Sequence, residues 1–455
     1  MLSKALTFFK CLIFMCLHAT AQVDFNAFPP VKHLYQNLKT VEQQKKIFFG
    51  QEFFNSFRFG VGIQDDPDFS DCKSVTGEHP AVLGQDFHYY LYKSLEERTI
   101  HKNAALHAFA NGAVITFDFH IHAKHGGSYS YSDADKYLMY NIGNLDDSNG
   151  ELTWYNEQLE EVLQIINVEL QIPIVFRVFH EMNGNWFWWG TRAYGGSEAY
   201  IRLYRYTVNY LRARTNWLLF AWSPDKDLAE NFYPGNNYVD IVGLDGYDMG
   251  EVNYYSSADM VTDLENLVDF ASENDKIAVF SETGNRIKSP DENPDWWLTS
   301  VYNPIIESDR AWKIAWILTW INSNWASHPY VPTSLSSEEA KNRFIEFQQK
   351  DIILFGPDIQ EISLYGSPNS VQKKLIDGNL FLYPNPTSGI LNIKSNVSIR
   401  NIEIYSPSGV LLYNMEPMNQ NEINLNVSDF TKGLYFINIE TLYNSHFEMI
   451  VLERN

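Results

Sequence analysis

Residues 174–190 read IVFRVFHEMNGNWFWWG. An apolar, partly β-branched run, the texture of a buried parallel strand, leads into Arg177, His180, Glu181 and Asn183. Trp186, Trp188 and Trp189 follow at once. Burying one carboxyl beside that much aromatic surface raises its pKa and keeps it protonated near neutral pH. Flat rings next to a proton donor also suit a sugar, whose apolar C–H faces can lie on them. A second carboxylate, Glu282 in AVFSETG, closes another apolar run. Two carboxylates flanking a glycosidic bond suffice to hydrolyse it. On this reading Glu181 protonates the leaving oxygen and Glu282 is the nucleophile. A carboxyl separation of about 5–5.5 Å would make the reaction retaining.

Other chemistries fit less well. His120, His122 and His125, in HIHAKHGG, have a spacing seen in metal sites. No cysteine and no fourth ligand in motif accompany them, so they read as polar loop contacts, with His120 a hydrogen-bonder to substrate. HEMNG lacks the second histidine of a zinc-peptidase HExxH. Neither a metal nor an organic cofactor is expected.

The elements that must position these groups show a rhythm. Apolar runs occur at Lys46–Phe49, Ala81–Gly84, Ala113–Phe119, Ile174–Phe179, Leu218–Trp222, Val239–Leu244, Ile277–Phe280 and Ile314–Trp320. Segments with helical period separate most of them: Tyr89–Ala110, Trp154–Leu170, Ser197–Arg214, Ala258–Asn274 and Pro294–Ser308, with Glu338–Gln349 after the last. Before the first run the chain reads as loop until Glu42, where a short helix is expected to start. Gln51–Pro80 reads as loop-rich. Alternating strands and helices imply a parallel sheet, and eight units imply a closed (β/α)8 TIM barrel. A doubly wound sheet would need a glycine-rich phosphate loop after the first strand, and none is there. In a barrel, chemistry sits at the C-terminal ends of the strands. Asp118 and His120, then His180, Glu181 and Asn183, then Trp222 and Asp225, fall at such ends. So do Asp245, Tyr247 and Asp248, Glu282, and Trp320 and Asn322.

The chain has 455 residues, 45% of them hydrophobic and 15% aromatic, enough for a large core. Its formal net charge of −22 disfavours nucleic acid and anionic membranes as partners. Met1–Ala21 has lysines at 4 and 10, an apolar stretch and a small-x-small site at Ala19-Thr20-Ala21, so it reads as a secretory signal peptide. Its apolar run is too short to span a membrane. Cleavage would take the charge from −22 to −24 and leave Cys72 as the single cysteine, with no intramolecular disulfide possible. From Asn379 the texture changes to short alternating strands split by turns such as Asn385-Pro386 and Ser408-Gly409, a small all-β sandwich. The expected organisation is a signal peptide at 1–21, a barrel at 22–357, a linker at 358–378 and the β domain at 379–455. A monomer is the default.

The barrel segment resembles glycoside hydrolase family 26, best known for endo-β-1,4-mannanases. RVFHEMNGNWFWWG carries most of the likeness, supported by TGEHPAVLGQDF, FYPGNNYVDIVGLDGYD, VFSETG, TWIN and HPYVP. The resemblance implies Glu181 as acid/base, Glu282 as nucleophile and His180 as the residue holding that nucleophile. It also implies Trp186, Tyr247 and Trp320 as the sugar platform around the scissile bond, with His120 nearby; Asn183 and His180 are expected beside them as substrate contacts. Phe119 stands where the family often has tryptophan, and Val178 where it often has proline. These departures leave β-1,3-xylan or mixed-linkage β-glucan open beside β-mannan as the polymer. A non-catalytic glycan-binding surface protein is the rival from another class. The C-terminal segments LYPNPTSGILNI, IYSPSGVLL and LNVSDFTKGLYFINIET resemble sorting domains of the type IX secretion system. That implies a secretion-machinery partner and a secreted or cell-surface location.

Overall fold

The computed structural model describes residues 22–251, 255–366, 380–407, 409–416, 420–441 and 445–452, so the expected signal peptide lies outside the described residues. Eight parallel strands form the centre: β1 Ile47–Glu52, β2 Val82–Asp86, β3 Val114–Asp118, β4 Ile174–Arg177, β5 Leu218–Trp222, β6 Ile241–Tyr247, β7 Ile277–Gly284 and β8 Trp316–Thr319. Each pairs with the next in sequence order, and β8 pairs with β1, closing the expected barrel. Helices pack outside on one stripe each. The helix Ser257–Glu273 buries Met260, Leu264, Leu267, Val268 and Ala271, the spacing of a single apolar face. Capping boxes at Ser94/Glu97 and Ser256/Asp259 satisfy the first free amides of two of these helices.

The structure corrects several expectations. The segment read as loop before Glu42 is a helix, Pro29–Gln43, which ends where one was expected to begin. Its Pro-Pro start presets the first turn, and Val31, Leu34, Leu38 and Val41 form its buried stripe. β1 runs on past Phe49, carrying Gln51 and Glu52 to the barrel mouth. β6 and β7 likewise extend to Tyr247 and Gly284. The helical segment Tyr89–Ala110 breaks into His88–Leu91 and Leu95–Ala110, with Ser94 capping the second. The chain does not leave the barrel at Pro357. Ile353–Leu354 pairs with the start of β1, and Gly356–Ile362 is a further helix. Tyr365 then donates to the Ala113 carbonyl at 2.7 Å. Residues 358–366, expected as linker, thus pack on the barrel, and 367–379 lie outside the described residues.

The C-terminal part is antiparallel: β9 Leu380–Tyr383, β10 Ile390–Tyr405, β11 Leu411–Met415, β12 Gln420–Asn426, β13 Gly433–Thr441 and β14 Ser445–Leu452. The expected sandwich takes the form of one sheet built on β10. The first half of β10 pairs with β9 and β12 and its second half with β11 and β13, with a register break between Lys394 and Ile399. Alternate residues of both halves, Leu391, Ile393, Ile402 and Ile404, share one core with Ile423, Leu425, Ile437, Ile439 and Ile450. Among the described residues no helix is long and apolar enough to cross a membrane.

Candidate active site

The mouth of the barrel holds one arginine among acids from three strands. Arg177, at the end of β4, is buried. Its Nε and Nη2 donate to both oxygens of Asp118 on β3, at 2.8 and 2.7 Å. Its Nη1 reaches Asp245 on β6 at 2.7 Å and the Ser223 hydroxyl at 3.0 Å. Nη2 also donates to Glu282 Oε1 on β7. Burial pushes Asp118 up to about 7 and Asp245 well above the carboxylate range, while the Arg177 charge pulls both back. A planar guanidinium presents its donors in a fixed fork, so this one side chain sets the orientation of Glu282. The other Glu282 oxygen accepts the Tyr247 hydroxyl at 2.6 Å. Tyr247 therefore holds the Glu282 carboxyl directly, as well as lining the cleft. His180 stands farther off, with Nε2 at 3.9 Å from Glu282. Burial, with the Arg177 charge behind it, pushes its pKa well down, so the imidazole is neutral.

Glu181 sits one residue past His180, in the left-handed region at φ 52°, with Phe179 before it at φ 54°. The kinked backbone is tied by the Glu181 amide to the Ser223 carbonyl at 2.8 Å, and it turns the carboxyl into the cleft. Burial first, then the charges of Glu282 and Asp225, push Glu181 up to about 8. Trp186 Nε1 donates to Glu181 Oε2 at 2.7 Å and opposes that shift. Gly184 permits this fold-back, since a Cβ there would meet the Trp186 ring at 2.4 Å. Trp188 and Trp189 are buried and donate to the Ile121 and His180 carbonyls, so they brace the loop from below.

His120 lies two residues past the end of β3. Its Nδ1 lies 2.7 Å from Asp86 Oδ2, and its amide donates to Asp86 Oδ1 at 3.1 Å. Burial works against its proton, but the Asp86 carboxylate, with the charges of Asp118 and Glu282 behind it, raises its pKa on balance. Asn183 is turned away from the cleft. Its amide donates to the Asp225 carbonyl at 2.6 Å and its oxygen accepts the Asp225 amide at 2.8 Å, so it joins two loops. The cleft is lined by His120, His180, Glu181, Trp186, Glu282 and Trp320, with Tyr247 at its floor. Six further residues complete the wall: Tyr129, Phe187, Asp225, Lys226, Arg286 and Tyr330. Asp225 was visible at a strand end and Tyr330 within HPYVP. Tyr129 sits in a long aperiodic loop that gives no signal, and Arg286 reaches the cleft by lying against the Tyr247 ring at 4.5 Å. The departures Phe119 and Val178 are wholly buried and face the core, not the sugar.

Two trios, Asp118/His120/His180 and Glu181/Asp245/Glu282, bring ligand atoms within 4.8 Å of one another. In each, Arg177 already occupies carboxylate oxygens, so a cation would have to displace a buried guanidinium. His122 stacks on Tyr92 at 4.0 Å and His125 is exposed. These histidines form no ligand set with His120.

The sequence model of glycosyl hydrolase family 26 matches residues 23–293, more than half of the chain. The chain belongs to glycosyl hydrolase family 26. A mannan endo-1,4-beta-mannosidase of Bifidobacterium adolescentis is 28% identical over 330 residues, 66% of this chain and 32% of that protein. One of Bacillus subtilis is 32% identical over 206 residues, 40% of this chain and 55% of that protein. The chain thus spans about half or less of the length of these curated relatives. The solved structure of a family 26 beta-mannanase from Bacteroides ovatus superposes with a TM-score of 0.63 at 26% identity, covering 72% of this chain and 96% of that one. The family 26 match covers the barrel through β7, and the model of a secretion system C-terminal sorting domain matches residues 381–453.

Proposed function

We propose that the chain is a secreted, retaining glycoside hydrolase that cleaves internal β-1,4-mannosidic bonds of mannan-type polysaccharides. Glu181 is the acid/base and Glu282 the nucleophile. The observation that carries this reading is the approach of the two carboxyls. An oxygen of Glu181 lies within 4.8 Å of one of Glu282, a close approach that favours direct attack by the second carboxylate over a water seated between the two.

The steps follow from the geometry. Glu181, held up at about 8, is protonated at neutral pH and gives its proton to the leaving oxygen. Glu282, oriented by Arg177 and Tyr247, attacks the anomeric carbon from the opposite face and forms a glycosyl-enzyme. Glu181, now ionised, takes a proton from water, which releases the sugar with its configuration kept. Trp186 and Trp320 carry the sugars on either side of the scissile bond. Bonds to the reacting sugar strengthen as it becomes oxocarbenium-like. The polymer assigned follows the printed names of the family relatives. Export is supported by the match to a sorting domain at 381–453 and by the leader-like Met1–Ala21, with 22–366 as the catalytic unit.

A reducing-end assay on mannan, glucomannan, β-1,3-xylan and lichenan tests the reading, run on wild type and Glu282→Ala. Mannan and glucomannan are expected to be cut by wild type only, with the variant still binding them. NMR of the first product formed should show the β-anomer. Cleavage of xylan or lichenan with none of any mannan would overturn the substrate, and an α-anomer would overturn the mechanism.

A further inference from the structure

Among the described residues, Trp186 and Trp325 are the exposed tryptophans. Trp186 is a cleft wall. Trp325, at 60% exposure, is in no described cavity. A large ring left in water forgoes its burial energy, so its surroundings decide whether it is incidental. Phe57 backs it edge-on, with ring centroids 5.2 Å apart. Phe57 belongs to a small apolar cluster with Phe53 and Ile321, against which Trp320 also packs. Trp320 and Trp325 therefore rest on the same support, one inside the cleft and the other on its rim.

The loop that carries Trp325 is tied down. Asn322 donates to Asp71 at 3.0 Å and accepts the Tyr330 amide at 2.7 Å. Asp71 also accepts the Phe59 amide at 2.9 Å, in the hairpin that contains Phe57. The β8 loop and the β1 hairpin thus hold Trp325 between them. The rim they form lies on the nucleophile side. Trp186, hydrogen-bonded to the acid, marks where the leaving sugar sits, so the other half of the chain runs from Glu282 over Trp320 towards β8 and β1.

We propose that Trp325 is a distal platform on which a further sugar of the bound polymer stacks, beyond the one on Trp320. The inference rests on the proposed function as a polysaccharide hydrolase. It places the polymer's non-reducing portion over the β8–β1 rim and makes length recognition a property of that rim.

The test uses the full chain with Trp325→Ala and Trp325→Phe. Kinetics are measured on mannotriose through mannohexaose and on mannan. In a Glu282→Ala background, calorimetry measures binding of the same oligosaccharides. Trp325→Ala should raise KM, and weaken binding, for mannohexaose and mannan by about three- to tenfold, the worth of one aromatic contact. Mannotriose should be unaffected, and Trp325→Phe should recover most of the loss. An unchanged mannohexaose affinity, or an equal loss for the trisaccharide and hexasaccharide, would overturn the platform. A wild type that cuts no mannan overturns the substrate reading instead. The length series is then run on the oligosaccharides of whichever glycan it does cut.

Discussion

The hydrogen bond from Trp186 to Glu181 makes a signed prediction about pH. On the proposed mechanism Glu181 must carry its proton when the bond breaks, so kcat/KM should fall as pH rises through its pKa of about 8. Burial and the charges of Glu282 and Asp225 set that position, and the Trp186 Nε1 bond to the ionised form holds it down. Trp186→Phe keeps a ring and removes the donor. A bond to a charged acceptor is worth about 1.5–3 kcal/mol, but Trp186 is 39% exposed and water can replace part of it. Taking about 1 kcal/mol gives an upward shift of roughly 0.7 unit. At about pH 9 the protonated fraction would then rise from roughly one-tenth to one-third, so kcat/KM relative to its own plateau should increase about threefold. Gly184→Ala, which pushes the indole off its seat, should move the limb the same way. The assay is kcat/KM on a mannan oligosaccharide from pH 5 to 10, beside a substrate with an activated leaving group that needs no acid. On the activated substrate the alkaline limb should flatten. A limb that stays in place or moves down in Trp186→Phe would refute the assignment of Glu181 as the acid held by that bond.

Further outcomes follow from the same framework. Arg177→Met leaves Asp118, Asp245 and Glu282 buried without their cation, and should cost about 3–5 kcal/mol of stability by denaturant unfolding at neutral pH; loss under 1 kcal/mol would contradict the hub. Asn183→Ala cuts both bonds to Asp225 and should lower kcat/KM about tenfold with an unchanged circular dichroism melt. Gly84→Ala would place a Cβ 2.0 Å from the Glu52 carboxyl and should destabilise by about 1–3 kcal/mol; adding Glu52→Ala should restore most of that, a coupling that a thermal-melt double-mutant cycle reads directly.

The barrel was legible because parallel strands buried on both faces read as unbroken apolar runs, and Leu218–Trp222 was bounded to the residue. Strand ends were harder to read for the reason that makes them useful. β1, β6 and β7 continue into Glu52, Tyr247 and Gly284, where polar side chains turn into the pore and the apolar signal stops before the ladder does. The Pro29–Gln43 helix was hidden by its prolines, which signal a turn in sequence and a first helical turn in the fold.

The two glutamates were legible for the same reason as the strands: each is the first acid after an apolar run. What holds them was not, and here the physics reverses an expectation. The family likeness points to His180 as the partner of the nucleophile, yet a neutral imidazole at 3.9 Å offers Glu282 little beside a guanidinium and a phenol in direct hydrogen-bond contact. Arg177 was visible as a charge inside an apolar run, which is costly unless paired. Its partners lie on β3, β6 and β7, at 59, 68 and 105 residues' separation. Only closure of the barrel brings them to one point. On the proposed mechanism the buried arginine ties catalysis to the fold: the side chain that orients Glu282 is also the cation that makes three buried acids tolerable. Replacing it should therefore lower stability and rate together, whereas replacing His180 by Gln should spare more of both.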